Sequence, residues 1–96
     1  MIQDNFRPVA GTGQTLAIGA ASVVSTAIPA GTFYVKLSAT GNCHVQVGMA
    51  PVAVSTDMML KATDPPTTIR VQPGEKIAVI QDAASTGNLN IIGVTH

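Results

Sequence analysis

Aromatic and charged residues are both scarce in this chain, which has no tryptophan, one tyrosine and two phenylalanines, and in which 10% of the residues are charged. Single-strand nucleic-acid binders and carbohydrate modules depend on exposed aromatic rings, so this composition counts against both classes. Five basic residues balance five acidic ones. That balance leaves no basic surface of the kind that attracts nucleic acid or an anionic membrane. We therefore expect neither nucleic acid nor a membrane as a partner.

Cysteine and long apolar runs are also rare. The single cysteine, Cys43, cannot form a disulfide within the chain. Its position in register with Val45 and Val47 predicts a buried thiol that packs as a small hydrophobic group. No run of about 20 apolar residues occurs, so the sequence predicts no transmembrane helix.

The residue types that perform catalysis or bind metals are scattered along the chain. His44 and His96 are far apart, and His44 occupies the polar register of its strand, where we expect a solvated side chain. Four of the five acidic residues fall at turns or strand ends, where a carboxylate commonly bonds the local backbone. These acids are Asp57, Asp64, Glu75 and Asp82. The sequence therefore predicts a protein that is not an enzyme, with no catalytic residue, no metal site and no cofactor.

Apolar and polar residues alternate with a period of two along most of the chain, which predicts strands with one buried face. The clearest unit is a hairpin in which residues 33–39 and 43–47 flank the turn Thr40-Gly41-Asn42. Proline and glycine mark other turns, including a type I turn at Pro29 and a type II turn at Pro73-Gly74. Residues 17–27 are the only helix candidate, and their valine, serine and threonine content disfavours a helix.

The strand pattern predicts an all-β fold, a single-domain antiparallel β-sandwich of jelly-roll or Greek-key type with about seven to eight short strands. Strands are expected at residues 14–18, 22–28, 33–39, 43–47, 58–61, 67–72, 76–81 and 88–94. The sandwich domain spans residues 14–96 and follows an extended N-terminal arm at residues 1–13. The predicted core consists of Leu16, Ile18, Phe33, Val35, Leu37, Val45, Val47, Ile69, Val71, Ile77, Val79, Leu89 and Ile91.

Apolar residues outside the alternating strands predict a surface that contacts protein. Ile2 and Phe6 are the sizeable apolar residues of the arm, with Arg7 beside them, and Met58 and Met59 form an adaptable cluster that either caps the core or faces a partner. A core of small aliphatic residues is thin, and a weakly charged surface is typical of one that protein covers. We therefore expect self-association, as a trimer or a dimer.

Two segments carry a resemblance to a known family. Residues 27–48 read AIPAGTFYVKLSATGNCHVQVG, and residues 75–94 read EKIAVIQDAASTGNLNIIGV. Their turn and strand pattern resembles that of small tailed-bacteriophage head-associated structural proteins of the cement or decoration type. The chain departs from that pattern where Met49-Ala50-Pro51, rather than an acidic turn, follows Gly48.

The resemblance implies a virion structural protein that binds the assembled major capsid protein and stabilises the head. It also implies assembly in the host cytoplasm and location in the virion head. Two other classes stay open at this point. One is a ligand-binding or glycan-binding β module of a tail fibre or adhesin, and the other is a small enzyme or metal protein, which the scattered histidines and acids disfavour.

Overall fold

The structure, a computed structural model, describes residues 7–95, and within them it contains nine strands and no helix. The strands form two antiparallel sheets that pack as a β-sandwich, as the sequence predicts. In chain order they are β1 (Arg7–Pro8), β2 (Gln14–Ile18), β3 (Val23–Val24), β4 (Tyr34–Ala39), β5 (Cys43–Gly48), β6 (Met58–Leu60), β7 (Thr67–Arg70), β8 (Lys76–Gln81) and β9 (Gly87–Thr95).

The first sheet is built around β9. One edge of β9 pairs with β4, which in turn pairs with β7, and the other edge pairs with β1 and β2. Leu89 lies opposite Leu16 on one side and Ala39 on the other, and Ile91 lies opposite Leu37. Because side chains alternate between the two faces of a strand, Leu89 and Ile91 both point into the core, where each is fully buried.

The second sheet has the order β3-β8-β5-β6. Its core-facing row includes Val79, which lies opposite Val23 and Val45. The strand predicted at residues 22–28 is regular only at β3, because the Ser25 hydroxyl accepts the backbone N–H of Ile77 at 2.9 Å and so replaces a backbone partner. Ile28 still donates its N–H to the Glu75 carbonyl at 2.7 Å, which keeps this segment beside β8.

The predicted hairpin at Thr40-Gly41-Asn42 is wrong, because β4 and β5 belong to different sheets. The connection between β8 and β9 crosses between the sheets in the same way, and the two crossings lie against each other. Thr40 donates its N–H to the Asn88 carbonyl at 2.9 Å, and its hydroxyl accepts the Asn88 N–H at 2.8 Å. Alternation specifies a buried face but not a pairing partner, so the sequence pattern does not distinguish a hairpin from such a crossing.

The predicted core is largely confirmed, and the exception is Phe33, whose side chain is 47% exposed. The alternation breaks before β4, since Thr32 is buried and the strand begins at Tyr34. The turn before it also differs from the prediction: Thr32 donates to the Pro29 carbonyl, and Gly31 has a φ of 88°, which places glycine at the third position. Val47 and Ile69 are partly buried against the core, which also includes Ile28, Cys43 and Leu60.

The type II turn at Pro73-Gly74 is confirmed. Gly74 has a φ of 91°, and Glu75 donates its N–H to the Gln72 carbonyl at 3.1 Å. Left-handed φ at the third turn position is the conformation in which glycine is favoured.

Residues 7–13, which the sequence assigns to an arm, follow the edge of β9 in the same chain. Pro8 lies opposite Val94, and Val9 donates its N–H to the Gly93 carbonyl at 2.8 Å. Between β1 and β2 the Thr12 hydroxyl accepts the Gly93 N–H at 2.9 Å, so a side chain continues the ladder where the backbone departs from it. A Cβ at residue 93 would lie 2.9 Å from the Thr12 hydroxyl oxygen, which explains glycine there.

The crossing turns give a test of the fold through Gly41→Ala. A Cβ on Gly41 would overlap the carbonyl oxygen of Thr86, and this backbone atom cannot move without disturbing the second crossing. We expect a loss of about 1–3 kcal/mol in the free energy of unfolding. Thermal unfolding followed by circular dichroism measures it, at about 4–8 °C per kcal/mol for a domain of this size.

The matched control is Gly48→Ala, at the end of β5, where an added Cβ meets no atom within 4 Å. Its effect on the free energy of unfolding should stay within about 0.5 kcal/mol. Equal midpoints for the two variants would contradict the packing of the crossings described above.

Candidate functional site

The candidate site is a surface, because residues 7–95 contain no detected cavity and no group of three side chains able to hold a metal ion. The surface is formed where the connection between β5 and β6 lies over the outer face of the second sheet. We call residues 49–57 the covering loop.

Hydrogen bonds attach the covering loop to the sheet at both of its sides. Ala53 donates its N–H to the Ser22 hydroxyl at 3.0 Å, just before β3, and Val52 donates its N–H to the Gln46 side-chain oxygen at 3.0 Å, on β5. Ala78 lies between these strands on the outer face, yet it is fully buried. The loop therefore shields an outer sheet face that would otherwise be in solvent.

Asp57 fixes the end of the covering loop. Its carboxylate accepts the N–H of Val54 at 2.8 Å and the side-chain amide of Gln46 at 3.2 Å. Its backbone carbonyl lies 3.0 Å from Nδ1 of His44. One residue thus closes the loop on itself and joins it to two neighbouring side chains of β5.

His44 lies beneath the loop, so the predicted solvated histidine is wrong. Its side chain is 8% exposed, and its Nε2 lies 3.0 Å from a carboxylate oxygen of Asp82, which is 34% exposed. His44 does occupy the polar register of β5, on the face that points away from Cys43 and Val45. The covering loop and the turn after β8, however, cover that face. The partners are 13 and 38 residues away in sequence, so no local pattern indicates them.

The partners of His44 determine its protonation. A backbone carbonyl and a carboxylate only accept hydrogen bonds, so both contacts are hydrogen bonds when the ring is the imidazolium, which carries two N–H groups. The hydrogen bond to Asp82 is the main cause that raises the pKa of His44 above its usual range, followed by the bond to the Asp57 carbonyl, while burial opposes them. The two acceptors therefore favour the protonated form of this nearly buried ring.

Two other predictions about polar residues are confirmed. Asp64 accepts the backbone N–H of Lys61 at 3.0 Å, and Glu75 accepts that of Gln72 at 2.7 Å, so both acids bond their local turns. Cys43 is buried, and burial raises the pKa of its thiol to about 11. A thiol with that pKa stays protonated near neutral pH and packs as an apolar group.

Of the residues that the sequence predicts at an interface, Met58 and Met59 are 45% and 38% exposed on the edge strand β6. The backbone of Arg7 pairs with Thr95. Ile2 and Phe6 lie outside the described residues. The structure thus brings the two methionines next to the covering loop, whereas the described part of the arm lies beside β9.

Sequence reasoning missed the apolar side chains that the covering loop itself exposes. The loop leads directly into β6, and we call the exposed apolar side chains of these two segments the loop surface: Met49, Val52, Val54, Met58 and Met59. Met59 lies opposite His44 on the outer face of the sheet, whereas Met58 lies opposite Val45, on the other face of the edge strand. The available signal was an apolar run interrupted by Pro51, which indicates a crossing loop but not which side chains it turns outward.

Comparison with known proteins leaves the family open, since no family model, no curated protein and no solved structure matches this chain. Among the described residues, no helix has the length and hydropathy needed to cross a membrane. Function must therefore be argued from the loop surface and the residues that support it.

The His44 contacts predict a specific dependence of stability on pH. Because folding raises the pKa of His44, the stabilisation is complete below the unfolded value of about 6.5 and is lost as the pH rises through the folded-state pKa. We expect a loss of about 1 kcal/mol, below the usual value for a hydrogen bond to a charged group because Asp82 is partly exposed. Thermal unfolding midpoints measured from about pH 6 to about pH 9 test it.

The control is His44→Gln, which lacks a titrating ring and retains His96, so that any contribution of His96 is common to both proteins. Its midpoint should vary less over this pH range than that of the parent. Parallel pH profiles for the two proteins would show that His44 does not carry the dependence.

Proposed function

We propose that this protein is a structural component of a tailed-bacteriophage virion, a cement or decoration protein that binds the assembled major capsid protein and stabilises the head. The observation that carries the proposal is the loop surface, five exposed apolar side chains on a short edge strand and the loop before it. The resemblance of residues 27–48 and 75–94 to such proteins supports the same function, and the β-sandwich agrees with it.

The physical basis is the gain from covering apolar surface. Burial of apolar area contributes roughly 25 cal/mol per Å², and exposed apolar patches commonly mark protein interfaces. Met49, Met58 and Met59 have flexible, unbranched side chains that fit irregular partner surfaces. The hydrogen bonds that attach the covering loop reduce the conformational entropy that Val52 and Val54 lose on docking.

Stabilisation of the head follows from binding only the assembled form of the capsid protein. A ligand that binds one state and not another shifts the equilibrium toward the bound state. If each copy contacts two neighbouring capsid subunits, separation of those subunits requires loss of the contact, and many copies multiply the effect. Ile2, Phe6 and Arg7 of the predicted arm contribute a second contact in this proposal.

A glycan-binding module of a tail fibre or adhesin is the second candidate, and the outer face of the first sheet is the observation that favours it. Asn90 lies there between Thr15 and Ser38 in register, which places one amide and two hydroxyl side chains in a row across three strands. Tyr34 lies two residues from Lys36 on the same strand, as a single aromatic ring on that face. Binding to a glycan array would support this candidate over the first.

The loop surface predicts the effect of the double variant Met49→Gln, Val52→Thr on capsid binding. The side chains are 67% and 63% exposed, so the fold should be unaffected, while polar groups replace apolar contacts in the complex. We expect roughly tenfold weaker binding or more, as the loss of about 1.5 kcal/mol predicts. Occupancy on purified heads that lack the protein, measured by quantitative gel densitometry, is the readout.

Phe33→Gln is the matched control, because Phe33 is 47% exposed but lies just before β4 in the first sheet, away from the loop surface. It should bind heads as the parent protein does. Full occupancy by the double variant would rule out the loop surface as the contact, and an absence of head binding by the parent protein would refute the proposed function itself.

Self-association is part of the proposal. We expect a trimer or a dimer, because the core consists mainly of small aliphatic residues and the chain has few charges, which is typical of a surface that protein covers. Light scattering at micromolar concentration measures the mass, and a strict monomer would contradict this part of the proposal while leaving head binding to be decided by occupancy.

A further inference from the structure

The covering loop is held by three attachments of different chemistry. Ala53 bonds to the Ser22 hydroxyl, which does not titrate at ordinary pH. Gln46 accepts the Val52 N–H through its side-chain oxygen and donates its side-chain amide to the Asp57 carboxylate. The third attachment, from His44 to the Asp57 carbonyl, involves a ring whose proton count can change near neutral pH.

His44 joins the covering loop to a second segment of the chain. Its Nδ1 lies 3.0 Å from the Asp57 carbonyl at the end of the loop, and its Nε2 lies 3.0 Å from the Asp82 carboxylate in the turn between β8 and β9, so the doubly protonated ring donates to both. The titratable groups that face the ring are Asp57 and Asp82. The neighbouring strands present Ile80 on β8 and Met59 on β6, and neither side chain titrates.

We propose that His44 is a proton-dependent clasp, which holds the covering loop against the second sheet when the ring carries both protons and allows the loop to open when one is lost. The proposal concerns the fold and goes beyond the proposed function, since it requires no capsid partner.

Proton counting explains the opening. A neutral ring has one N–H, so it donates either to the Asp57 carbonyl or to the Asp82 carboxylate, and its other nitrogen directs a lone pair at an acceptor. If Nε2 keeps the proton, the bond to the loop is lost. If Nδ1 keeps it, the repelled Asp82 carboxylate turns toward solvent, and the ring loses the contact that fixes its position. Both tautomers therefore hold the loop less firmly than the imidazolium does.

Opening of the loop changes the apolar surface that the protein presents. The loop carries Met49, Val52 and Val54 outward and covers Ala78 on the sheet. As the pH rises through the titration of His44, the fraction of molecules with an open loop increases. In the open form the loop surface is no longer ordered and the sheet beneath the loop is exposed. The closed form, with its fixed apolar side chains, is thus the form favoured at lower pH.

Hydrogen exchange measured by mass spectrometry on the intact chain tests the clasp. Protection factors for peptides from residues 49–57 are compared at about pH 6 and about pH 9, on either side of histidine titration, after correction for intrinsic exchange. We expect roughly three- to tenfold less protection at the higher pH. Peptides from β9 report on global unfolding, and their protection should exceed that of the loop at both pH values, because the loop opens while the rest of the protein stays folded. Equal loop protection at the two pH values would overturn the proposal.

Asp82→Asn is the matched variant. Its carboxamide can donate to an unprotonated Nε2 while Nδ1–H still donates to Asp57, so a neutral ring keeps both hydrogen bonds. We expect loop protection in this variant to be the same at the two pH values. If Asp82→Asn retains the full pH response of the parent, the clasp is refuted. In the parent, ¹⁵N chemical shifts of the ring should show two protonated nitrogens at about pH 6, and a single protonated nitrogen there would also refute it.

Discussion

Backbone pairing along β9 is the constraint on which the rest of the structure depends. This strand spans Gly87–Thr95 and is paired along both edges, with β4 on one side and with β1 and β2 in succession on the other. Its inward side chains, Leu89 and Ile91, are fully buried, so a slip of one residue would turn them to solvent and bring polar asparagines into the core. The register of four other strands is thereby fixed, directly or through β4.

The second constraint is that most connections cross between the sheets. Among the described strands, β5 and β6 are the only chain neighbours that pair with each other. The other connections can be short, as at Gly41 and Gly87, because the sheets are already close. The connection from β5 to β6, residues 49–57, instead joins two paired strands of one sheet and covers the outer face of that sheet.

Sequence patterns predicted much of the fold and little of the site. Period-two alternation identified the strands that contain Val35, Leu37 and Ile91, because burial of one face is a local property of the chain. It did not identify which strands pair, since a crossing and a hairpin leave the same pattern. The solvated His44 was wrong for a related reason: whether a polar register faces water depends on distant segments, here those of Asp57 and Asp82.

A protonated His44 costs hydration free energy that an apolar side chain would not, and in return it specifies the conformation of the covering loop. An apolar side chain there could pack between Ile80 and Met59 without loss of hydration, and buried ionic groups often stabilise a fold less than apolar residues do. An apolar side chain, however, would accept any loop conformation that covers it. The imidazolium keeps both hydrogen bonds only in a conformation that places the Asp57 carbonyl at one nitrogen and the Asp82 carboxylate at the other. It therefore stabilises the fold less than an apolar residue could, but it favours one loop conformation. Together with the bonds from Ser22 and Gln46, that requirement gives the exposed side chains of the covering loop fixed positions.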